Sequence, residues 1–192
     1  MMLQRFVSTL PRPAPVLITP PAAVPVSLAD ARRHLRVDST DEDTYIDGLI
    51  NGAVAYLDGW NGILAKCLIN QTWSQKFTTL SDPLRLALRP VSSITSVGYG
   101  TDSPQEALDS LTYRLSTDSI SAKVVSVSGS WPSLDEVTVT FVAGYGAAAA
   151  DVPQNIRHAI LLIVGAMYEN REDTKIPDAV YMLLRPYKDV IA

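Results

Sequence analysis

Gly144-Tyr145-Gly146-Ala147-Ala148-Ala149 is the stretch that most invites a chemical reading. It spells G-x-G-x-x-A, follows the alternating run Val137 to Val142 and precedes a helical pattern. In a dinucleotide fold such glycines let the backbone approach a pyrophosphate at a helix N-terminus. Three features oppose that use here. Pro153 sets the helix start several residues too late for a phosphate turn. No strand follows at the distance where a ribose-binding acid is needed; Glu169 and Glu172 fall on the same helix. The strands upstream alternate like antiparallel ones, without βαβ units. The stretch reads as a strand-to-helix turn, and no cofactor is expected.

The other chemical candidates are thinner. Asp38-Ser39-Thr40-Asp41-Glu42-Asp43 has the acids of a calcium loop, but an EF-hand needs Gly at its sixth position and Glu at its twelfth. Counted from Asp38, those positions hold Asp43 and Leu49, so helix capping is the expected role. His34, His158 and Cys67 are the soft metal ligands, one in each of three segments, too few for a zinc site. Each histidine follows an arginine, Arg33 or Arg157, in an amphipathic pattern, which predicts solvated helix faces. No G-x-S-x-G elbow or H-E-x-x-H pair occurs. Trp60, Trp73 and Trp131 could stack on sugars or bases, yet three tryptophans in such a chain are expected to anchor cores and interfaces. No catalytic residue, metal ligand or cofactor-binding residue is expected, and the chain is not expected to be an enzyme.

Composition narrows the classes further. Lys and Arg number 16 against 20 Asp and Glu, for a formal charge of −4. That argues against sequence-independent binding of a nucleic-acid backbone, which needs clustered cations. Hydrophobic residues make up 47% of the 192, enough for a sizeable core. Cys67 is the sole cysteine, which rules out an intramolecular disulfide and fits an intracellular or virion-interior setting.

The elements that must position these residues fall into an α+β order. Residues 1–26 hold Pro11, Pro13, Pro15, Pro20, Pro21 and Pro25 without periodicity, which predicts an extended arm. Residues 27–62 read as two helices. Ser27 to Asp30 forms a capping-box-like start, with Leu28, Ala31 and Leu35 on one face. Thr40 to Asp43 opens the second, in which Ile46, Leu49, Ile50, Ala53, Val54 and Leu57 follow helical spacing up to Asn61-Gly62.

From about residue 68 to 146 the period changes to 2, predicting an antiparallel β-domain of about six strands, a sandwich or small barrel. Leu84 to Arg89 should put three leucines on one face and two arginines on the other, and Leu111, Tyr113 and Leu115 should alternate with Thr112, Arg114 and Ser116. Val137, Val139 and Phe141 form a third such run. Ile69 to Phe77, Ser93 to Tyr99 and Lys123 to Val127 are weaker strands. Residues 151–192 return to helix: one starting near Asp151 and Pro153, and a short one from Pro177 or Asp178 to Arg185, limited by Pro186.

The first of these C-terminal helices is the most unusual. Ala159 to Tyr168 is ten residues of almost unbroken apolar character, whereas a membrane span needs about 20. Flanked by Arg157 and His158 and by five polar residues after Tyr168, it predicts a helix covered by protein. The stretch before Pro11 carries too short an apolar run for a signal peptide. Ile156, Ile160, Ile163 and Met167 make one stripe, and Leu161, Val164 and Tyr168 another, well around the cylinder. Ile160, Leu161, Leu162, Ile163, Val164, Met167 and Tyr168 are therefore the candidate packing residues, covered either by the chain's own β-domain and first two helices or by another subunit.

The order of segments also resembles a known family. Pro25-Val26-Ser27-Leu28-Ala29-Asp30-Ala31-Arg32-Arg33-His34-Leu35-Arg36 leads into Asp41-Glu42-Asp43-Thr44-Tyr45-Ile46. Gln71-Thr72-Trp73 follows, then Leu88-Arg89-Pro90-Val91 before Ile94-Thr95-Ser96-Val97. Phe141-Val142-Ala143-Gly144-Tyr145-Gly146, Val152-Pro153, and Ala159 to Leu162 through Tyr168 to Glu172 close the series. Over about residues 24 to 188 this resembles the head–tail connector (adaptor) proteins of tailed phages, prophages and gene transfer agents.

The resemblance implies a helical subunit with a β insertion, assembled as a ring, commonly of twelve copies, beneath the portal in a particle neck after assembly in the host cytoplasm. Such a ring extends the channel through which double-stranded DNA passes and docks a stopper or tail-side neck protein. Twelve charges of −4 sum to roughly −48, and that like charge keeps DNA from sticking. The C-terminal segment, Tyr187, Lys188, Asp189, Val190 and Ile191, is the candidate portal contact. An alternative reading makes the β-domain a module that recognises a ligand or host surface through exposed tryptophans.

Overall fold

The computed structural model describes residues 13–78, 82–100, 105–118, 121–131, 136–170 and 175–188. Four helices and eight strands carry them. Strand β1 (Val16–Thr19) precedes helices α1 (Leu28–Leu35) and α2 (Asp43–Leu57). Strands β2 (Gln71–Phe77), β3 (Leu84–Arg85), β4 (Val91–Tyr99), β5 (Glu106–Ala107), β6 (Tyr113–Thr117), β7 (Ala122–Ser126) and β8 (Val137–Ala143) follow. Helices α3 (Gln154–Glu169) and α4 (Asp178–Leu184) end the described chain, with a 3-10 turn at Arg185–Tyr187.

Local chemistry sets the helix starts. The Ser27 hydroxyl accepts from the Asp30 amide at 3.1 Å and donates to the Asp30 carboxylate at 2.7 Å, occupying one of the free donors of the first turn of α1. Arg36 closes α1 in the left-handed region (φ 59°) and returns its N–H to the carbonyls of Arg32 and Arg33. In α2 the spacing of Ile46, Ile50, Ala53 and Leu57 puts all four on one buried face.

That helix stops at Leu57, short of the Asn61-Gly62 end expected from sequence. Asp58 leaves helical geometry (ψ 150°), and its carboxylate accepts from the Leu68 amide at 2.6 Å and from Gln71 Nε2 at 2.8 Å. Tertiary hydrogen bonds, invisible to local pattern, end the helix.

The strands form two antiparallel sheets, ordered β1-β2-β8-β4-β5 and β3-β7-β6. Alternation holds best in β8, where Val137, Val139, Phe141 and Ala143 are buried and the residues between them are half-exposed. Trp73 and Phe77 from β2 and Val97 from β4 join them, and from the other sheet Leu84, Ala122 and Val124 complete one β-core.

Two expected strands differ. Of the 84–89 run, Leu84 and Arg85 pair with β7, and the Leu86 amide adds a last bond to the Ala122 carbonyl at 2.9 Å. Beyond them the buried Gln75 side chain takes the place of a strand, accepting from the Ala87 amide at 2.9 Å and donating to the Arg85 carbonyl at 3.4 Å. Leu84, Leu86 and Leu88 are buried as the pattern predicts, but Arg89 is buried too, against expectation. Leu111 lies in a 3-10 turn, Ser110–Thr112, and is exposed, because the Asp109 carboxylate accepts from its amide and delays the strand to Tyr113. Strands β1 and β5 were not expected. They lie at the two edges of the larger sheet, and β1 is embedded in proline-rich sequence.

A second core lies among the helices. It joins Ala31 of α1, Ile46, Ile50, Ala53 and Leu57 of α2, Ile156, Ala159, Ile160, Ile163 and Val164 of α3, and Val180 and Leu184 of α4. Full burial of such side chains stabilises by about 1.5–3 kcal/mol each before entropy is counted.

Candidate functional site

The apolar helix is α3, and the other helices cover it. Among its predicted packing residues, Ile160, Ile163 and Val164 are buried, while Leu161, Leu162, Met167 and Tyr168 are half-buried and pack at the margin of the same core. Contacts come from α1, α2 and α4; the β-domain is not its main cover, as sequence reading had allowed. At its C-terminal end the Tyr168 hydroxyl donates to the Glu42 carboxylate, and the Tyr168 and Tyr45 rings lie 6.1 Å apart. No helix among the described residues is long and apolar enough to cross a membrane.

Beside α3 opens a groove of about 740 Å³. Its floor and walls include Gly52 and Tyr56 of α2, Ala166 and Met167 of α3, Ile176, and Tyr181 of α4. Gly52 forms part of its floor, where a Cβ would make only ordinary contact, 3.8 Å, with Met167 Cε. Tyr181 and Met182 of α4 expose 41% and 77% of their surface. A second apolar surface lies on β1, where Val16, Leu17 and Ile18 are 62%, 42% and 57% exposed.

The glycine motif is fully engaged within the chain. Gly144 donates to the Pro90 carbonyl at 2.9 Å, Tyr145 to that of Leu68 at 3.2 Å, and the Gly146 carbonyl accepts from Asn70 at 2.9 Å. A Cβ on Gly144 would lie 2.5 Å from the Asn70 nitrogen, so glycine serves close backbone packing, not phosphate approach. The acidic loop does not supply the side-chain cap of α2 expected from sequence, since its N-cap Glu42 makes no such hydrogen bond; it ties α1 to the start of α2 instead. Arg32 donates to the Asp38 carbonyl and pairs with Asp43 at 3.5 Å, and Ser39 Oγ accepts from Asp41 N.

Folding brings His34 and His158 together, although sequence left them apart. Their rings meet edge-on at 6.5 Å where α1 packs on α3. Among the described residues no group of three or more potential ligands gathers around a metal position. Cys67 is buried, and burial pushes its thiol well above the usual range. Trp73 is buried and Trp131 half-buried against the β-core, which overturns the exposed-tryptophan surface of the alternative reading; Trp60 is 36% exposed.

Sequence gave no signal for the polar joint between the two cores. Lys66 and Arg89 are both buried there, and backbone bridges link residue 66 to Asp58 and Arg89. Burial, with the Arg89 charge second, lowers the Lys66 ammonium to about 8. Burial raises the Asp58 carboxyl, partly offset by its hydrogen bonds from Leu68 and Gln71. Burial also raises the Tyr145 phenol to about 12.

Of the predicted C-terminal contact, Tyr187 packs half-buried against the helical core and Lys188 is exposed, its ammonium 5.2 Å from the Tyr181 ring centre. Asp189, Val190 and Ile191 lie outside the described residues.

The sequence profile of the phage gp6-like head–tail connector proteins matches residues 25–188. None of the curated proteins searched matches the chain. Three solved structures share its fold at 22% identity. The first, the neck of an empty gene transfer agent (GTA) particle computed with C6 symmetry, superposes with a TM-score of 0.80 over 93% of this chain and 97% of the other. A chain from the virion of a native gene transfer agent particle scores 0.79 over 93% and 96%. A chain from the neck of a native GTA particle computed with C12 symmetry scores 0.70 over 94% and 96%.

Proposed function

Because the chain belongs to the phage gp6-like head–tail connector family, and so serves a structural connector role, we propose that it forms a closed ring beneath the portal, of twelve copies. The ring continues the DNA channel and presents a platform to the next neck or tail-side protein. The observation that carries this reading is the family match across both the helical and the β part. The near-complete superposition on neck subunits solved with C12 and C6 symmetry supports it.

The physical surfaces agree with that role. A ring needs heterologous contacts, two different surfaces on each subunit that close on rotation. The exposed edge of β1 and the groove beside α3 are two such unlike surfaces. The balance of −4 per subunit suits a conduit through which a polyanion must slide. Tyr187 and Lys188, with Asp189 to Ile191 after them, are proposed to touch the portal.

Mixing the purified chain with its portal tests the proposal by light scattering and particle imaging. The expected product is a twelve-fold ring coaxial with the portal. Failure to associate with the portal, or a closed two-fold dimer in its place, overturns it.

A further inference from the structure

Strand β1 is an unusual edge. It carries three consecutive apolar side chains, Val16, Leu17 and Ile18, all substantially exposed, in a stretch without a charged residue from Pro13 to Ala29. Natural edge strands are blunted against further pairing by shortness, proline and bulges. β1 has all three: four residues, Pro15 and Pro20 on its flanks, and a register shift between Leu17 and Thr19. Its backbone is therefore a poor template for another strand. What it offers is side chains.

Register fixes where those side chains can go. Val16 lies opposite Ser74 and Leu17 opposite Trp73, so β1 is fastened to β2 and cannot enter the groove of its own helical part. Towards its N-terminus the chain runs along β2 from Thr72 towards Phe77, whereas the helical part joins β2 at the other end, through Gln71 and Asp58. β1 thus begins on the side of β2 remote from its own helices.

Charge points to the same acceptor. Residues 1–26 contain Arg5 and Arg12 and no acid, whereas the helical segments 27–62 and 151–192 hold 13 acids against 8 basic residues. The apolar groove of about 740 Å³ between α2, α3 and α4, with Gly52 and Met167 inside, belongs to that part; its own two charged lining residues, Lys175 and Asp178, balance, so the attraction comes from the acidic helices around it.

We infer that β1 of each subunit docks in the α2–α3–α4 groove of the next copy, Val16 and Ile18 being the inserted side chains, with the basic arm before it drawn to that copy's acidic helical part. The contact is heterologous, so it propagates head to tail and closes as a ring. This rests on the ring proposed above.

Two subunit preparations, one carrying Ile18→Cys and the other Tyr181→Cys, test it after assembly with the portal. Both positions are exposed and Cys67 is buried, so a short thiol-to-thiol crosslinker should give covalent dimers only in the mixture. The double variant should give a ladder of multimers. Rings that form normally but yield no mixed dimer overturn the docking and leave the ring standing. Absence of rings in the unmodified chain overturns both. A second variant, Val16→Asp with Ile18→Asp, should keep the monomer's melting temperature and lower ring yield by about tenfold or more. Ring yield at the unmodified level overturns the inference.

Discussion

Asp58 links the two cores with one carboxylate. It ends α2, holds the Leu68 amide at 2.6 Å and orients Gln71 at the start of β2. Replacing it with alanine strands a buried donor, which costs about 1–3 kcal/mol. Asp58→Ala should lower stability by that amount in chemical denaturation, with little loss of helix content by circular dichroism. Lys66, its neighbour in the joint, behaves oppositely. Its folded pKa, about 8, lies below its ordinary value, so the unfolded chain binds the extra proton between pH 8 and 10.5. The Lys66 term therefore opposes folding at neutral pH and fades as pH rises through that window. Against a Lys66→Met variant, measured in parallel so that cysteine and tyrosine titrations cancel, the melting-temperature gap should narrow from pH 7 to pH 10. A gap independent of pH would remove the desolvated ammonium from this account.

At the scale of elements, legibility followed how local the causes were. α1 and α3 could be read because Ser27 with Asp30, and Pro153, act within a turn of the residues they organise. Val137 to Ala143 could be read because one face is buried and alternation has period 2. The end of α2 and the short ladder of β3 depend on Asp58 and Gln75, whose partners only folding reveals, whereas the delayed start of β6 has a local cause, the Asp109 carboxylate accepting from the Leu111 amide two residues on, which the period-2 pattern masks. The site was legible only in part. The all-round apolar character of α3 showed that something covers it, but α4 as part of that cover, and the His34–His158 contact, needed three dimensions. Ile160 sits at the centre of the helical core. Ile160→Ala should cost about 2–5 kcal/mol, read as a lower denaturation midpoint. A loss under about 1 kcal/mol would mean that the core closes around the gap.

For the whole molecule, the order of elements has a consequence in time. The helical core is assembled from the first and last thirds of the chain: Glu42 meets Tyr168 across 126 residues. During synthesis α1 and α2 emerge with Ile46, Ile50 and Leu57 bare, and nothing can cover them until the β-domain has been made and α3 has followed it. Such distant closure is slow, and it exposes greasy surface while it waits. A prematurely ended chain lacks α3 and α4, and with them the wall of the groove. The fold itself thus acts as a check on completeness.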